Sequence, residues 1–208
     1  MKRLLPLLAL LCVFVSCTKK ETPQGSEPHE PYQPTYEVGD YFKNDTLEGV
    51  VFYTYGTHNG LMVSLEEAVL PWCDSSHVVC ETGATNPYDG WYNTNIVTAN
   101  YDLYNFPAID WSYQRNTWHH VQFPHRLIDH KQWYVPSTTE LRYLLTNQAA
   151  VNATLDSLGY PTLEEKTYWS STETGTRGAG AVRMQDGKVV ISDSVKTLRY
   201  YVRAIRNY

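Results

Sequence analysis

The stretch WYVPSTTELRYLL, Trp133 to Leu145, constrains the fold most, because it sets two backbone geometries side by side. Trp133 and Tyr134 favour extended chain, and Pro136, which has no amide proton, pushes Val135 into extended geometry. Ser137 and Glu140 then form the S-x-x-E pattern of a capping box, in which each side chain accepts a hydrogen bond from the other residue's amide. Leu141, Leu144 and Leu145 follow at i, i+3 and i+4, so the helix starting here has one apolar face to bury. A strand is expected to stop at this corner and a packed helix to begin.

The flanking sequence supplies what that helix packs against. GVVFYTYGTHNGLMVSL reads as two strands, Gly49 to Tyr55 and Leu61 to Leu65, around Asn59-Gly60. Val151, Leu155 and Leu158 sit at helical spacing before Gly159 and Pro161, which predicts a second short helix. AVRMQDGKVVIS reads as a hairpin around Asp186-Gly187, and RYYVRAIRNY as a closing strand. From Glu81 to Phe123, Gly, Asn, Asp and Pro are scattered among aromatics with no period of 2 or 3.6. This predicts a long irregular segment, which in a compact domain is usually functional when ordered. Strands at both ends with helices between them predict an α+β domain over residues 38–208, with antiparallel sheets, two or so helices and its ends in one sheet.

The first 37 residues are of another kind. MKRLLPLLALLCVFVSCTKK has a basic start, an apolar run too short for a spanning helix and a small residue before Cys17, which marks residues 1–16 as an export signal. V-F-V-S-C resembles a bacterial lipobox, with Phe14 where leucine is usual, as is tolerated in Bacteroidetes-type lipoproteins. Cys17 is therefore expected to carry a lipid. Residues 17–37 form the tether: with Pro23, Pro28, Pro31 and Pro34 and almost nothing apolar, they cannot bury enough surface to fold. Fully extended, that tether reaches about 60 Å. Lys19 and Lys20 give no sign of inner-membrane retention, so the expected address is the outer membrane, with the periplasmic or extracellular face left open. A net charge of −5 with no basic cluster argues against a nucleic-acid partner.

Two cysteines, Cys73 and Cys80, remain in the mature domain, and oxidising conditions outside the cytoplasm predict that they pair. Closing so short a loop stabilises by roughly 2.5 kcal/mol. The spacing C-x6-C is not a usual metal spacing. His119, His120, His125 and His130 lie close together, but strand neighbours such as His119 and His120 point to opposite faces and no H-x3-H pair occurs, so no metal and no cofactor is expected. Ser170 and Ser171 in YWSSTE have no histidine near them in sequence, so no hydrolytic chemistry is expected either.

Aromatics carry the remaining signal. The chain has 17 Tyr and 6 Trp. Tyr88, Trp91, Tyr101, Tyr104, Trp111 and Trp118 are candidate platforms for sugar rings, with Asp89 and Asn93 as hydrogen-bonding partners. Against this stands the reading that most of them anchor the irregular segment to the core. Asp45-Thr46-Leu47, Asp156-Ser157-Leu158 and Asp193-Ser194-Val195 resemble the O-glycosylation acceptor of exported Bacteroidetes proteins, which makes Thr46, Ser157 and Ser194 candidate acceptors.

Seven phrases then point one way: VGDYF at 38–42, GVVFY at 49–53, HNGLMVSL at 58–65, YNTNIV at 92–97, WYVPSTTEL at 133–141, YWSSTE at 168–173 and VRAIR at 202–206. In this order they resemble the bacterial surface domain first described at the C-terminus of a collagen-like adhesin, also known as the fibrobacter-type major paralogous domain. The resemblance implies a C-type-lectin-like fold, akin to that of formylglycine-generating enzymes, with a long irregular segment as the ligand face. It also implies adhesion to glycan or glycosaminoglycan. The Glu-Pro-Asn, Gln-Pro-Asp and Trp-Asn-Asp triplets of calcium-dependent lectins are absent, and the C-terminal third has none of the paired thiols of the enzymatic relatives. The expectation is a lipid-anchored, non-catalytic envelope protein that binds glycan or a surface protein. The alternative is a structural or accessory subunit of a surface appendage or envelope complex, with an enzyme of the formylglycine-generating type third.

Overall fold

The computed structural model describes residues 34–116 and 131–208. Residues 1–16, Cys17, most of the tether, Trp118 and the four clustered histidines lie outside the described residues. Strands β1 (Tyr41–Lys43), β2 (Glu48–Thr54), β3 (Gly60–Val63) and, from the C-terminus, β9 (Ile205–Asn207) form an antiparallel sheet in the order β1-β2-β3-β9. The two ends of the domain therefore do share a sheet. The second sheet runs β4 (Ala68–Pro71), β8 (Arg199–Val202), β5 (Thr167–Glu173), β6 (Gly178–Gln185) and β7 (Lys188–Val195), with β5 and β8 parallel and the other pairs antiparallel. Four α-helices complete the described residues: α1 (Gly90–Asn100), α2 (Pro107–Gln114), α3 (Thr138–Thr146) and α4 (Gln148–Ser157). The domain is α+β, and Phe52, Trp72, Phe106, Leu141, Leu144 and Trp169 are fully buried in one core.

The corner folds as its sequence dictates. Ser137 Oγ accepts from the Glu140 amide at 3.3 Å, and Glu140 Oε2 accepts from the Ser137 amide at 2.7 Å. Leu141, Leu144 and Leu145 of α3 are all buried. The extended stretch before it is a correction, since it makes only a single bridge, Tyr134 to Ile205, rather than a strand. Side chains take several of its other backbone groups, and the Pro136 carbonyl accepts from the Ser171 amide at 2.7 Å. Asn116 binds both the amide and the carbonyl of Trp133, at 2.7 and 2.9 Å, and Thr94 Oγ1 accepts from the Val135 amide. At the β6–β7 turn, Asp186 and Gly187 both have positive φ, 50° and 73°, which suits the twist of a two-residue hairpin.

Two further expectations need correcting. The stretch 199–208 is two strands in different sheets, because the chain crosses between them at Arg203-Ala204. Arg203 is buried at that crossing, where its guanidinium donates to the carbonyls of Ser64, Leu65 and Pro161 and to the Glu67 carboxylate. The segment from Glu81 is not irregular throughout, since α1 and α2 lie within it. Helix α1 buries Asn93, Thr94, Asn95 and Thr98 beside Val97, so its inward face is polar and carries no hydrophobic period. Its start is fixed by Asp89, whose side chain accepts from the Tyr92 amide at 2.8 Å, and by the Gly90 amide donating to Glu140 Oε2 at 2.9 Å. A Cβ at position 90 would strike the Val135 carbonyl, so only glycine fits there.

Candidate functional site

The described aromatic candidates fall into two groups, with Asp89 and Asn93 apart from both. Tyr88 and Tyr104 are open to solvent, 73% and 83% exposed. Trp91, Tyr101 and Trp111 are half-buried against the core, and the Tyr101 hydroxyl donates to the Glu81 carbonyl at 3.2 Å. Asp89 caps α1, while Asn93 is fully buried, accepting from the Asn86 amide and donating to the Asn86 carbonyl and Ser171 Oγ. These last two hold the segment in place. The candidates therefore do not converge on one site.

A cleft of about 670 Å³ does bring functional groups together, from parts of the chain far apart in sequence. Its walls include Glu48 at the start of β2, Glu66 after β3, Trp111 on α2, Arg115 just after it, Trp133, and Arg206 on β9. The Arg115 guanidinium stands 4.6 Å from the centroid of the Trp111 ring and 5.9 Å from that of Trp133. Arg206 stands 5.7 Å from the Trp133 ring. Arg115 Nη2 also donates to Glu66 Oε2 at 2.9 Å. Glu48 accepts from the Tyr41 hydroxyl at 2.6 Å and pairs with Lys43 at 3.7 Å, and the bond to Glu48 raises the Tyr41 pKa above its ordinary value. The paired contacts of Asn116 hold Trp133 in the cleft wall. Guanidinium groups close to indole rings and next to carboxylates make a polar, open surface. Such a surface holds hydroxylated or charged rings through stacking and forked hydrogen bonds.

Of the described sequence-based candidates, Trp111 and the glycosylation candidate Thr46 line this cleft. Trp133 reads as a strand former, Arg206 is marked only as the last residue of the phrase VRAIR, and Arg115 and Glu66 belong to no local motif.

Elsewhere the polar groups are closed in. Lys196, 0% exposed, donates to the Glu173 carboxylate and to the carbonyls of Cys80 and Thr176, and its ammonium stands 5.0 Å from the Trp72 ring centroid. Glu173 in turn accepts from the amides of Thr82 and Gly83. Next to this pair Cys73 is buried and Cys80 half-buried, and both are free thiols, so the expected bridge is not made in this structure. Burial pushes the Cys73 thiol up to about 11, which leaves it protonated at neutral pH. Glu140, buried under Tyr134, Ser137 and Gly90, has its pKa raised chiefly by burial. Ser170 and Ser171 are buried and donate to the carbonyls of Gly180 and Pro136. Among the glycosylation candidates, Thr46 and Ser157 are exposed and Ser194 is half-buried on β7.

The arrangement defines an α+β domain with an open, polar, aromatic cleft on its surface. Residues 67–206 match the family described as Lcl C-terminal domain, and the chain belongs to that family. A solved structure, a fimbrial protein from Bacteroides ovatus ATCC 8483, is similar in fold, with a TM-score of 0.52 at 21% identity. The match covers 72% of this chain and 35% of that one. No curated protein matches the sequence.

Proposed function

We propose that this protein is a non-catalytic adhesion component of the bacterial cell envelope, whose domain binds glycan in the cleft between Trp111 and Trp133. The observation that carries the reading is the Arg115 guanidinium set against two indoles in an open cleft of about 670 Å³. Membership of the Lcl C-terminal domain family supports it, as does a fold like that of a fimbrial protein. The reading includes removal of residues 1–16, a lipid on Cys17, residues 17–37 as the tether, and residues 38–208 as a C-type-lectin-like domain at the outer membrane. The absence of catalysis is supported by the burial of Ser170, Ser171 and Cys73, each closed off from substrate. A second reading, accessory subunit of a surface appendage, is favoured by Tyr88 and Tyr104, whose exposed rings suit a protein partner.

A glycan array with the wild type and Trp111→Ala separates the two. Loss of Trp111 is expected to weaken glycan binding by about 1 to 3 kcal/mol. A wild type that binds nothing on a broad array ends the glycan reading and leaves the appendage subunit. Membrane fractionation of Cys17→Ala tests the anchor independently, since the variant should appear in the soluble fraction.

A further inference from the structure

We propose that β7 is a pairing edge, and that two copies of this protein join through it, antiparallel about a two-fold axis at Ile191, into one continuous sheet. The inference is independent of the glycan reading. β7 lies last in its sheet and is paired on one side only, with β6. The two-residue turn at Asp186-Gly187 fixes which backbone groups that pairing uses. Gln185 and Lys188, flanking the turn, form a hydrogen-bonded pair, and such pairs recur at every second residue of an antiparallel ladder. Lys188, Val190, Ser192 and Ser194 therefore turn their amides and carbonyls to β6, in phase with Lys196 just beyond, whose amide donates to the Arg177 carbonyl at 3.0 Å. Val189, Ile191 and Asp193 turn theirs outward, and no described residue takes any of them.

Nothing on the strand itself guards this edge. β7 contains no proline, and its one acid is tied back: the Asp193 carboxylate accepts from Thr174 Oγ1 and lies beside Gly178 of β6, where a Cβ would strike it. Ile191 and Val195 remain 49% and 48% exposed. The strand is also complementary to itself. A two-fold axis at Ile191, normal to the sheet, sets Ile191 against Ile191 and Val189 against Asp193, so each outward amide meets an outward carbonyl and the two half-exposed isoleucines cover each other. The same axis brings the Lys188 end of one strand to the Asp193 end of the other, whereas a parallel pairing sets like charges side by side. A second copy therefore fits the edge in backbone, side chain and charge.

The test follows the full chain in detergent by sedimentation velocity over a range of concentrations, with backbone amide exchange read residue by residue on the same samples. A monomer–dimer equilibrium is expected. Raising the concentration should slow exchange at Val189, Ile191 and Asp193, while Val190 and Ser192, already bonded to β6, stay slow throughout. Ile191→Lys sets two like charges face to face in place of an apolar contact and should weaken the dimer by about ten- to hundred-fold. Ile191→Pro removes only an outward amide, which an edge strand tolerates, and should weaken it as much. If Ile191→Pro unfolds β7, seen as fast exchange at Val190 and Ser192, Ile191→Lys and the wild-type exchange decide the question. A wild type that stays monomeric up to about 1 mM overturns the self-pairing and leaves the edge to a strand of another protein. A dimer that survives Ile191→Lys, or that forms without slowing those three amides, overturns it too, since the contact then lies elsewhere on the molecule.

Discussion

Glu173 and Lys196 form an ion pair whose side chains are 1% and 0% exposed, whereas Glu66 and Arg115 form one whose side chains are 65% and 20% exposed. The first pair has several further partners. Lys196 reaches two carbonyls besides the carboxylate, and Glu173 accepts two backbone amides from Thr82 and Gly83. It ties the end of β5 to the chain after Cys80 and to the exit of β7. At the second pair, Arg115 lies 4.6 and 5.9 Å from the centroids of the Trp111 and Trp133 rings, while the Glu66 side chain is mostly exposed. The difference shows how one kind of chemistry serves two ends. An ion pair with partners on all sides in the interior holds the fold, whereas one with a largely exposed acid at a cleft contributes little to it.

The sharpest way to break the comparison is to remove the basic partner from the interior. Lys196→Met leaves the Glu173 carboxylate buried without its counter-charge, and the expected loss is about 3 to 5 kcal/mol of folding stability. Glu66→Gln at the other pair is expected to change stability by less than about 0.5 kcal/mol. Urea unfolding of the two variants measures both. A Lys196→Met midpoint close to that of the wild type would remove the distinction.

Glu140 extends the comparison to a buried acid whose partners are hydrogen-bond donors. It accepts from the Gly90 and Ser137 amides and from the Tyr134 hydroxyl, so Glu140→Ala orphans three donors at the junction of α1 and α3. The expected cost is about 2 to 3 kcal/mol. Its pH signature has a definite sign. Burial raises the carboxyl above its ordinary value of 4.5, so in the window above 4.5 the folded state binds the proton more tightly than the unfolded chain. This contribution is fully present below 4.5 and is lost as pH rises through the raised folded value. Replacing the wild type with Glu140→Gln should remove that fall from the stability profile, measured as urea midpoints across the same pH range.

How much of this was legible in the sequence depends on where each backbone group finds its partner. The capping box of Ser137 and Glu140 and the Asp186-Gly187 turn are local, so the residues that define them are neighbours in the chain. The pairing of the terminal strands was also readable, because β2 and β3 carry strong strand-forming runs. Helix α1 was hidden since its buried face is made of Asn and Thr, held by side-chain hydrogen bonds that leave no apolar period. The division of residues 199–208 was hidden because it depends on Arg203 finding four acceptors that lie distant in sequence. The cleft was the least legible part. Positions 66, 111–116, 133 and 206 meet only once both sheets and α2 are packed, and of them only Trp111 stood out as an aromatic in the expected ligand segment.

A smaller effect is expected inside that segment. Asn93→Ala removes the acceptor of the Asn86 amide and the donor to its carbonyl, at 2.9 and 2.6 Å, which fix the turn before α1. The expected cost is about 1 to 2 kcal/mol, read as a lower urea midpoint with an unchanged slope.

Tyr104 gives the smallest effect and completes the contrast, since it lies only eleven residues from Asn93 and was equally a candidate for ligand contact. Its ring is 83% exposed, on a single 3₁₀ turn whose start is secured by Asp102 accepting from the Tyr104 amide at 3.1 Å. That bond uses the backbone, so it survives truncation of the side chain. Tyr104→Ala should therefore shift stability by no more than about 0.5 kcal/mol. The same variant, titrated with whatever glycan or protein the wild type retains, asks whether an exposed ring outside the cleft contributes to binding. Unchanged glycan affinity confines that ligand to the Trp111–Trp133 cleft, while a loss of protein binding alone would favour the appendage-subunit reading. A stability loss above about 1 kcal/mol would show that the ring is held against the core and would remove Tyr104 from either surface.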